Sequence, residues 1–419
     1  MSRSIVAPRG TRDLLPEETS AWSAVEAVAR DLSARYAFER IETPLFERTE
    51  LFAHGLGESS DAVEKEMFRV GGAAGSEEER AEWALRPEPT TGIVRAFIEH
   101  GLHVRPGPLR LWMIGPMFRY DRPQAGRYRQ FTQWDVEAIG DPGPMVDAEL
   151  IELGHRFYAT CGLQNVIAQV NSIGDGVCRP AYRAALVDYF SAHADRLSGD
   201  SKRRLQVNPL RVLDDKDLDP ELAAGAPRSL DHLCNACREH FDAVRALLDA
   251  LGVRYELDHR LVRGLDYYTR TTFEFYVAGR RGQQQALGGG GRYDGLVEVL
   301  GGQPTPGIGF GIGIDRTVLA AAEQGVQPPA AAPLIAVVSA LNALEPRLRV
   351  ASALRDAGLH VRADGSGRKL GRQLESAVKL GARWAVIVTD AETTTVILRD
   401  LQASEQRELP LGEIATAVR

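Results

Sequence analysis

Residues 115–140 read GPMFRYDRPQAGRYRQFTQWDVEAIG, two strand-like patterns on either side of the polar loop DRPQAG. In the second pattern the side chains alternate between a face with Tyr128, Gln130, Thr132, Trp134 and Val136 and a face with Arg129, Phe131, Gln133, Asp135 and Glu137. Neighbouring strands that a loop joins directly run antiparallel. The stretch therefore predicts a hairpin in an antiparallel sheet and argues against a Rossmann fold.

Arginine accompanies both this hairpin and a second apolar stretch, GIGFGIGIDR at residues 307–316. We expect Arg119 and Arg316 on strands, where each guanidinium is a rigid, planar fork of donors that matches a phosphate. The sequence contains no P-loop of the Gly-Lys-Ser/Thr type. The pair predicts ATP chemistry run by arginines, although each arginine taken singly fits a structural salt bridge equally well.

Glycine recurs at every second position from Gly307 to Gly313. Such a period clears one face of a strand, so that a flat ligand can lie against the backbone. A dinucleotide-binding GxGxxG differs, because its glycines lie in a strand-to-helix turn. A second glycine run, Gly288–Gly291, predicts a turn with close backbone approach.

Polar side chains in two places form a candidate pocket for a small molecule. Glu88 and Thr90 lie two apart at a predicted strand end, and Gln133 and Glu137 lie four apart on the second hairpin strand, so each pair shares one side. Two carboxylates, an amide and a hydroxyl suit an ammonium group and a small side chain rich in donors. Either acid alone fits an ordinary exposed carboxylate.

Residues 263–275, RGLDYYTRTTFEF, supply a third arginine, Arg263, and two adjacent tyrosines. Tyr267 and Tyr268 point to opposite faces if the segment is extended, so that one of them faces a ligand. Tyr293 is a third candidate, and buried tyrosines also serve commonly as core residues with bonded hydroxyls.

One CxxC pair, Cys234 and Cys237, lies in a stretch that favours a helix. A zinc site requires two more ligands, and His232 and His240 are near in sequence, but the spacing is not that of a standard finger. Partly buried thiols are the favoured interpretation, and no metal is assigned to protein ligands.

The totals are those of a globular protein with two or three domains: 419 residues, 44% hydrophobic and 26% charged, with net charge −7. Four cysteines and an N-terminus without an apolar run predict a protein of the reducing cytoplasm, with no signal peptide and no membrane partner. Residues 347–383 carry nine Lys/Arg against three Asp/Glu, which fits RNA binding and solvated helix faces about equally.

The element pattern predicts an α+β fold. We expect a catalytic core in residues 1–171 and 251–326, a helical insertion in residues 172–250, and, after a Pro/Ala linker at 327–333, a domain in residues 332–419. Strands and helices alternate in this last domain, which predicts a small α/β unit with a mostly parallel sheet.

Six blocks of the chain, in order, resemble the histidyl-tRNA synthetases, a family of class II aminoacyl-tRNA synthetases. The blocks are ERTELFAHGLGESSDAVEKEMF, LRPEPTTGIVRA, GPMFRYDRPQAGRYRQF, LVRGLDYYTRTTFEF, GGGGRYDGL and GIGFGIGIDR. RGLDYYT is the histidine-specific one. The resemblance implies that L-histidine and ATP give histidyl-adenylate and pyrophosphate, and that the histidyl group then passes to the terminal adenosine of histidine tRNA. It also implies a class II antiparallel-sheet catalytic domain, a C-terminal domain that reads the anticodon, and a homodimer joined near the first helix.

The resemblance also implies roles for single residues. Glu88, Thr90 and Gln133 would hold the α-amino group of histidine. Glu137 and Tyr268, with Tyr267 beside it, would line the imidazole pocket. Pro89 and Tyr293 are further candidates for contact with histidine. The carboxylate and phosphates would contact Arg119, Arg263 and Arg316, with Arg263 replacing a catalytic metal and Mg²⁺ arriving with ATP. The hairpin loop would bring Arg122 and Arg127 to ATP and to the tRNA acceptor end.

Two residues depart from the family pattern. Pro89 stands where glycine is usual and removes one backbone donor, and Asp315 stands where glutamate is common, which changes the support of Arg316. Two alternatives remain: a catalytically inactive, synthetase-like regulatory subunit of an ATP phosphoribosyltransferase in histidine biosynthesis, and another class II synthetase. The first usually lacks the C-terminal domain and has degraded motifs, and the second requires RGLDYYT to be coincidental.

Overall fold

The computed structural model describes residues 5–57, 60–71, 82–124, 126–215, 217–279, 285–330 and 332–418. Ala125 of the hairpin loop, Lys216 of the helical stretch and Ala331 of the linker lie outside these ranges. The chain divides into two compact units, Met1–Pro328 and Pro329–Arg419.

Strands and helices alternate irregularly through the first unit. Its described strands are β1 (Glu39–Arg40), β2 (Phe46–Arg48), β3 (Arg69–Val70), β4 (Trp83–Leu85), β5 (Leu109–Phe118), β6 (Gln130–Ile139), β7 (Val166–Ser172), β8 (Tyr255–Leu257), β9 (Thr269–Val277), β10 (Gly288–Arg292) and β11 (Gly307–Gly313). Its described helices are α1 (Pro16–Arg35), α2 (Thr49–Leu56), α3 (Asp61–Glu64), α4 (Thr90–Glu99), α5 (Pro144–Thr160), α6 (Arg179–Ala192), α7 (Gly199–Val207), α8 (Pro220–Gly225), α9 (Asn235–Ala250), α10 (Leu296–Val299) and α11 (Ile314–Glu323).

The main sheet has eight strands in the hydrogen-bonded order β1-β5-β6-β11-β10-β9-β7-β8. Its central pairs are antiparallel, and only the two edge pairs, β1 with β5 and β7 with β8, are parallel. A second, smaller antiparallel sheet has three strands in the order β2-β4-β3. The predicted α+β class is confirmed. Within the described residues, no helix combines the length and the apolar character that a membrane span requires.

The predicted hairpin is β5 and β6, paired from Leu109–Ile139 to Phe118–Gln130. One face of β6 packs on the helical layer, where the fully buried Trp134 donates from its indole nitrogen to Ser33 Oγ of α1 at 3.0 Å. The opposite face carries polar side chains. The sheet therefore has one apolar side for the core and one side free for chemistry.

Residues 38–46, FERIETPLF, do not form one continuous strand, because only Glu39–Arg40 pairs with β5 and the chain then passes Pro44 before β2 begins. The prediction of a turn at the second glycine run is wrong. The run Gly288–Gly291 is not a turn but the greater part of β10, held between β9 and β11. Glycine is required there because a Cβ on Gly290 would overlap the backbone of Gly309 on the neighbouring strand.

Residues between β7 and β8 are mainly helical, as predicted, and comprise α6 to α9. Buried side chains of α6 pack on neighbouring turns in a separate apolar cluster that contains Tyr182, Leu186, Phe190 and Leu210. The last helix differs, because Phe241, Val244 and Leu248 of α9 join the core of the main sheet.

The second unit contains β12 (Leu334–Ser339), α12 (Glu345–Asp356), β13 (His360–Ala363), α13 (Leu370–Lys379), β14 (Trp384–Val388), β15 (Thr395–Asp400), β16 (Gln406–Pro410) and α14 (Ile414–Ala417). Its sheet has the order β13-β12-β14-β15-β16. The prediction of a mostly parallel sheet is wrong, since β12 is parallel to its two neighbours but β14, β15 and β16 pair antiparallel. Short loops join these last three strands, and short loops join antiparallel neighbours.

A buried charge network fastens β10 to the helices behind the sheet. The fully buried guanidinium of Arg292 pairs with Asp147 of α5 at 2.7 Å and donates to the carbonyl oxygens of Asp141 and Gly143 at 2.9 and 2.6 Å. His240 Nε2 of α9 contacts Asp147 Oδ2 at 2.8 Å. Because the Arg292 charge is wholly removed from water, we expect loss of the Asp147 carboxylate to lower the free energy of unfolding strongly.

We expect Asp147→Asn to lower the free energy of unfolding of the first unit by about 3 kcal/mol or more, because the buried Arg292 charge loses its carboxylate partner at 2.7 Å and keeps only the ion pair with Asp294 at 3.2 Å. The matched control is Asp31→Asn, which removes an exposed i,i+4 pair with Arg35 and should cost less than about 1 kcal/mol. Urea unfolding followed by tryptophan fluorescence reports mainly on this unit, which holds four of the five tryptophans. Equal shifts for the two variants would contradict the argument.

Candidate active site

A cavity of about 230 Å³ opens on the polar face of the main sheet. Arg119, Arg263 and Arg316 all line its wall, although they are distant in sequence. Gln133 of β6 and the glycines Gly311 and Gly313 of β11 lie in the same wall. The three arginines that the sequence singles out are therefore brought to one place.

Arg119 follows the last residue of β5 and is held by the segment before α4. Its Nε donates to the carbonyl oxygen of Pro87 at 2.8 Å, and its guanidinium lies 5.5 Å from the ring centroid of Phe131. These contacts hold the side chain of Arg119 in the wall of the cavity.

Arg316 lies in the first turn of α11 and not on a strand, so the expectation of a strand position is wrong for it. Its guanidinium donates to the carbonyl oxygens of Gly126, at 3.1 Å, and Ala286. Burial, and then the nearby charges of Arg127 and Arg119, lower the pKa of Arg316. Crowded cations in a half-enclosed cavity are a ready site for a polyanion.

Arg263 is held by an ion pair with Glu274 of β9. Burial disfavours the charge of Arg263, but the carboxylate of Glu274 together with Tyr268 and Tyr267 outweighs this effect and raises the pKa of Arg263. The guanidinium also lies 5.7 Å from the ring centroid of Tyr268. A permanent positive charge is thus fixed between the cavity and the tyrosines.

The hairpin loop places its two candidate arginines differently. Arg127 lies in the cavity wall and forms an ion pair with Asp121. Arg122 is exposed on the outer part of the loop, with its backbone N–H donating to Asp121 Oδ1 at 2.6 Å. One arginine of the loop therefore faces the cavity and the other faces solvent.

Glu88 lies in a turn and Thr90 begins α4, so the expectation that both stand at a strand end is wrong. The Glu88 carboxylate accepts from the backbone N–H groups of Thr90 and Thr91, at 2.8 and 3.0 Å, and from the Thr91 hydroxyl. An anion at a helix N-terminus is favoured by the helix dipole and by the unpaired N–H groups there. Pro89 takes the N-cap position and has no N–H to contribute.

Glu137 is the centre of a buried polar pocket. Its two oxygens accept from the hydroxyls of Thr90 and Tyr293, each at 2.6 Å. Burial raises the pKa of Glu137 to about 8, against the effect of these two hydrogen bonds. A carboxyl group in this state exchanges its proton near neutral pH and responds to a ligand that carries N–H donors.

The glycines of β11 make room for this pocket. A Cβ on Gly309 would overlap the Glu137 carboxylate, and a Cβ on Gly307 would overlap the ring of Tyr293. A Cβ on Gly311 would lie 2.6 Å from Gln133 Nε2. The sequence predicts that the glycine face of β11 leaves space for a flat ligand. At Gly307 and Gly309 this space is filled by the side chains of Tyr293 and Glu137, whereas Gly311 and Gly313 border the cavity.

Tyr267 and Tyr268 do not face opposite sides, because they lie in a turn and not in an extended strand. Their ring centroids are 4.5 Å apart and their hydroxyl oxygens 3.5 Å apart. Tyr267 also meets Tyr293 edge to face at 5.9 Å. Three tyrosines that the sequence could not orient therefore converge beside Glu137, and burial raises the pKa of each, so that all stay neutral.

Sequence reasoning missed residues that hold the site from behind. Asp135 lies between Gln133 and Glu137 on the same face of β6, and burial, followed by the charge of Glu137, raises its pKa well above the ordinary value. The signal was its position in the alternating pattern. Arg86 is almost fully buried and donates to the carbonyl oxygens of Pro116 and Thr43 at 3.0 and 2.8 Å, which fixes the turn before Glu88.

Asp315 supports the hairpin. It accepts from the backbone N–H of Thr132 at 2.9 Å and lies 3.7 Å from Arg12. Burial raises its pKa. The departure from the family pattern thus places a short carboxylate against β6, while Arg316 donates to the main-chain carbonyls of Gly126 and Ala286.

Known proteins match the chain across both units. A family described as histidyl-tRNA synthetase matches residues 10–317, and one described as an anticodon binding domain matches residues 334–419. The histidine–tRNA ligase of Desulforudis audaxviator (strain MP104C) is 46% identical over 419 residues, 99% of this chain and 98% of that protein. The histidine–tRNA ligase of Anaeromyxobacter dehalogenans (strain 2CP-1) is 47% identical over 418 residues, 98% of both chains.

A solved structure has the same architecture. The apo histidyl-tRNA synthetase of S. aureus superposes with a TM-score of 0.80 at 33% identity, covering 99% of this chain and 100% of that one. Since the family match spans most of the chain and the relatives align over nearly all of it, this chain belongs to the histidyl-tRNA synthetase family.

Proposed function

We propose that this chain is a histidine–tRNA ligase, which uses ATP to activate L-histidine as histidyl-adenylate and then transfers the histidyl group to the 3′ end of histidine tRNA. The observation that carries the proposal is the cavity lined by Arg119, Arg263 and Arg316, next to the buried pocket around Glu137. A polyanion site beside a small polar pocket matches the two substrates of the first step.

In the activation step a carboxylate oxygen of histidine attacks the α-phosphorus of ATP, the bond from that phosphorus to the bridging oxygen breaks, and pyrophosphate leaves. The protein must align the reactants and neutralise the growing negative charge. We assign this task to Arg119, Arg263 and Arg316. A guanidinium group is a planar fork of donors that matches a phosphate, and Arg263 is held in place by Glu274 before substrate arrives.

Mg²⁺ is proposed to enter with ATP. This ion keeps most of its ligands as water and phosphate oxygens and needs one or two protein carboxylates. Glu66 and Asp121 lie in the cavity wall and supply donors of that kind. Arg263 remains the fixed positive charge on the histidine side.

Histidine is proposed to bind with its α-amino group near Glu88, Pro89, Thr90 and Gln133, and with its imidazole between Glu137 and the tyrosines Tyr267, Tyr268 and Tyr293. Pockets built from buried hydrogen-bonding groups reject apolar competitors strongly, because the groups are then left unpaired. The hydroxyl and carboxyl groups around Glu137 form such a pocket.

The tRNA is proposed to contact both units. Arg122 and Arg127 of the hairpin loop would meet the acceptor end, and the unit in residues 332–419 would read the anticodon, as its family match supports. We also propose domain boundaries at 171/172, 250/251 and 326/332, a cytoplasmic location, and a homodimer joined around α1. The exposed Leu45 and Phe46 beyond this helix supply apolar surface for such an interface.

The alternative function, a regulatory subunit of an ATP phosphoribosyltransferase, is not favoured. All three arginines line one cavity, and residues 334–419 match an anticodon binding domain. A subunit without catalysis needs neither feature.

Exchange of labelled pyrophosphate into ATP tests the function directly. We expect exchange that requires histidine and stops when histidine is omitted, because only a reversible adenylate links the two substrates. The folded state of the sample is checked by circular dichroism. Folded protein with no histidine-dependent exchange would exclude the ligase and favour the regulatory alternative.

Two variants separate the two halves of the site. We expect Arg263→His to slow adenylate formation by about 10²- to 10³-fold with little change in histidine affinity, since its charge acts on the reacting groups. Glu137→Gln should weaken histidine binding by about tenfold, because the glutamine amide, unlike the Glu137 carboxyl group, cannot ionise when an N–H donor of the imidazole binds beside it. Single-turnover kinetics and equilibrium dialysis measure the two quantities. Equal losses of both quantities in the Arg263 variant would contradict its assigned role.

Removal of residues 332–419 tests the second unit. We expect tRNA charging to fall by about 100-fold, because one of two linked contacts with the tRNA is lost, while pyrophosphate exchange stays within about threefold. The first unit has its own core, so the exchange assay also serves as the folding control. An unchanged charging rate would refute the anticodon role.

A further inference from the structure

Four potential metal ligands converge outside the active site, and the described residues contain this one such group: Asp175, Cys178, Cys234 and Cys237. Their ligand atoms all lie within 4.8 Å of one another. The CxxC pair alone indicates no ligand set, and the histidines near it in sequence do not complete one. His240 is bound to Asp147, and His232 stacks near Tyr182.

The group is assembled by three elements. Asp175 and Cys178 lie in the turn between β7 and α6, where Cys178 is the N-cap of that helix. Cys234 is the N-cap of α9, and Cys237 lies in its first turn. The two pairs of residues are about sixty positions apart in the sequence and are brought together by packing of the elements. The CxxC pair therefore lacks nearby ligands in the sequence itself.

We propose that these four residues bind one structural Zn²⁺ ion, with three thiolates and one carboxylate as tetrahedral ligands. Zn–S bonds of about 2.3 Å place tetrahedral sulfurs about 3.8 Å apart. The observed spread of up to 4.8 Å therefore requires only small side-chain movements. Thiolates select zinc over the hard cations Mg²⁺ and Ca²⁺.

The surroundings fit a metal ion better than isolated thiols. Leu230 and Leu233 pack against the cysteines, of which Cys178 and Cys237 are buried. Gly174 must lack a side chain, because a Cβ there would overlap Cys178 Sγ. The backbone N–H of Asp175 points at the same sulfur at 3.3 Å, as donors to metal-bound thiolates do.

Charge is also balanced around the group. Three thiolates, one carboxylate and Zn²⁺ leave a net charge of about −2. Arg270 lies 3.4 Å from Asp175 Oδ2, and Arg179 donates to the carbonyl oxygen of Gly174 at 3.2 Å, so two cations adjoin the cluster. The same Arg179 donates to the carbonyl oxygen of Tyr268 at 2.6 Å. The ion would thus fasten α6 and α9 to the segment that carries the tyrosines.

Metal analysis of the full-length protein, purified under reducing conditions, tests the site. We expect about one zinc per chain, lost in Cys237→Ser and retained in the matched control Cys161→Ser, whose thiol lies outside the group. Equal zinc in the two variants would overturn the proposal.

A second measurement does not depend on a stable Cys237 variant. Wild-type protein stripped of metal with a chelator should bind Co²⁺ and then show the visible absorption of tetrahedral thiolate coordination. Added Zn²⁺ should displace the Co²⁺. The melting temperature of the protein should be higher with Zn²⁺ bound than after stripping. Asp175→Asn should weaken zinc binding at least about tenfold, whereas Asp175→Cys should keep it. Reduced, folded protein without zinc or a cobalt spectrum, or freshly isolated protein with a Cys234–Cys237 disulfide, would refute the site.

Discussion

Close contact between glycine-rich strands is the constraint on which the site depends. At β10 and β11 the backbones and neighbouring side chains leave no space for a Cβ at Gly290 or Gly309. Because these glycines have no side chains, the Glu137 carboxylate and the Tyr293 ring can lie against the strand. Further along β11, the backbone at Gly311 and Gly313 forms part of the cavity wall. A larger residue at these positions would fill the pocket with protein.

Electrostatics divides the site into two halves. In the cavity, positive charges are crowded together, and burial with neighbouring arginines lowers the pKa of Arg316. In the pocket, burial raises the pKa of Glu137 to about 8, so that this carboxyl group is largely uncharged at neutral pH. We propose that the phosphates of ATP compensate the charge of the first half, and that N–H donors of histidine compensate that of the second. The two halves meet at Arg263, whose charge is stabilised by Glu274.

Buried charged groups that lie outside the cavity hold the side chains of the site in position. Arg86 fixes the turn before Glu88, the Arg292–Asp147 pair fixes β10 against the helices, and Asp315 holds the start of β6. None of these groups needs to touch a substrate. They explain why a cavity made by distant segments can have a defined shape, since buried charged groups are stable only with all partners in place.

The sequence by itself determined the hairpin, the α+β class, the two units and the three arginines, because period-two alternation, glycine spacing and family motifs are local patterns. Only the tertiary structure decided that Arg316 stands on a helix, that Tyr267 and Tyr268 converge in a turn, and that Asp175 and Cys178 meet the CxxC pair. Such contacts join residues far apart in the chain, or depend on a turn that propensity does not specify. Their geometry is set by packing of whole elements, which no window of sequence contains.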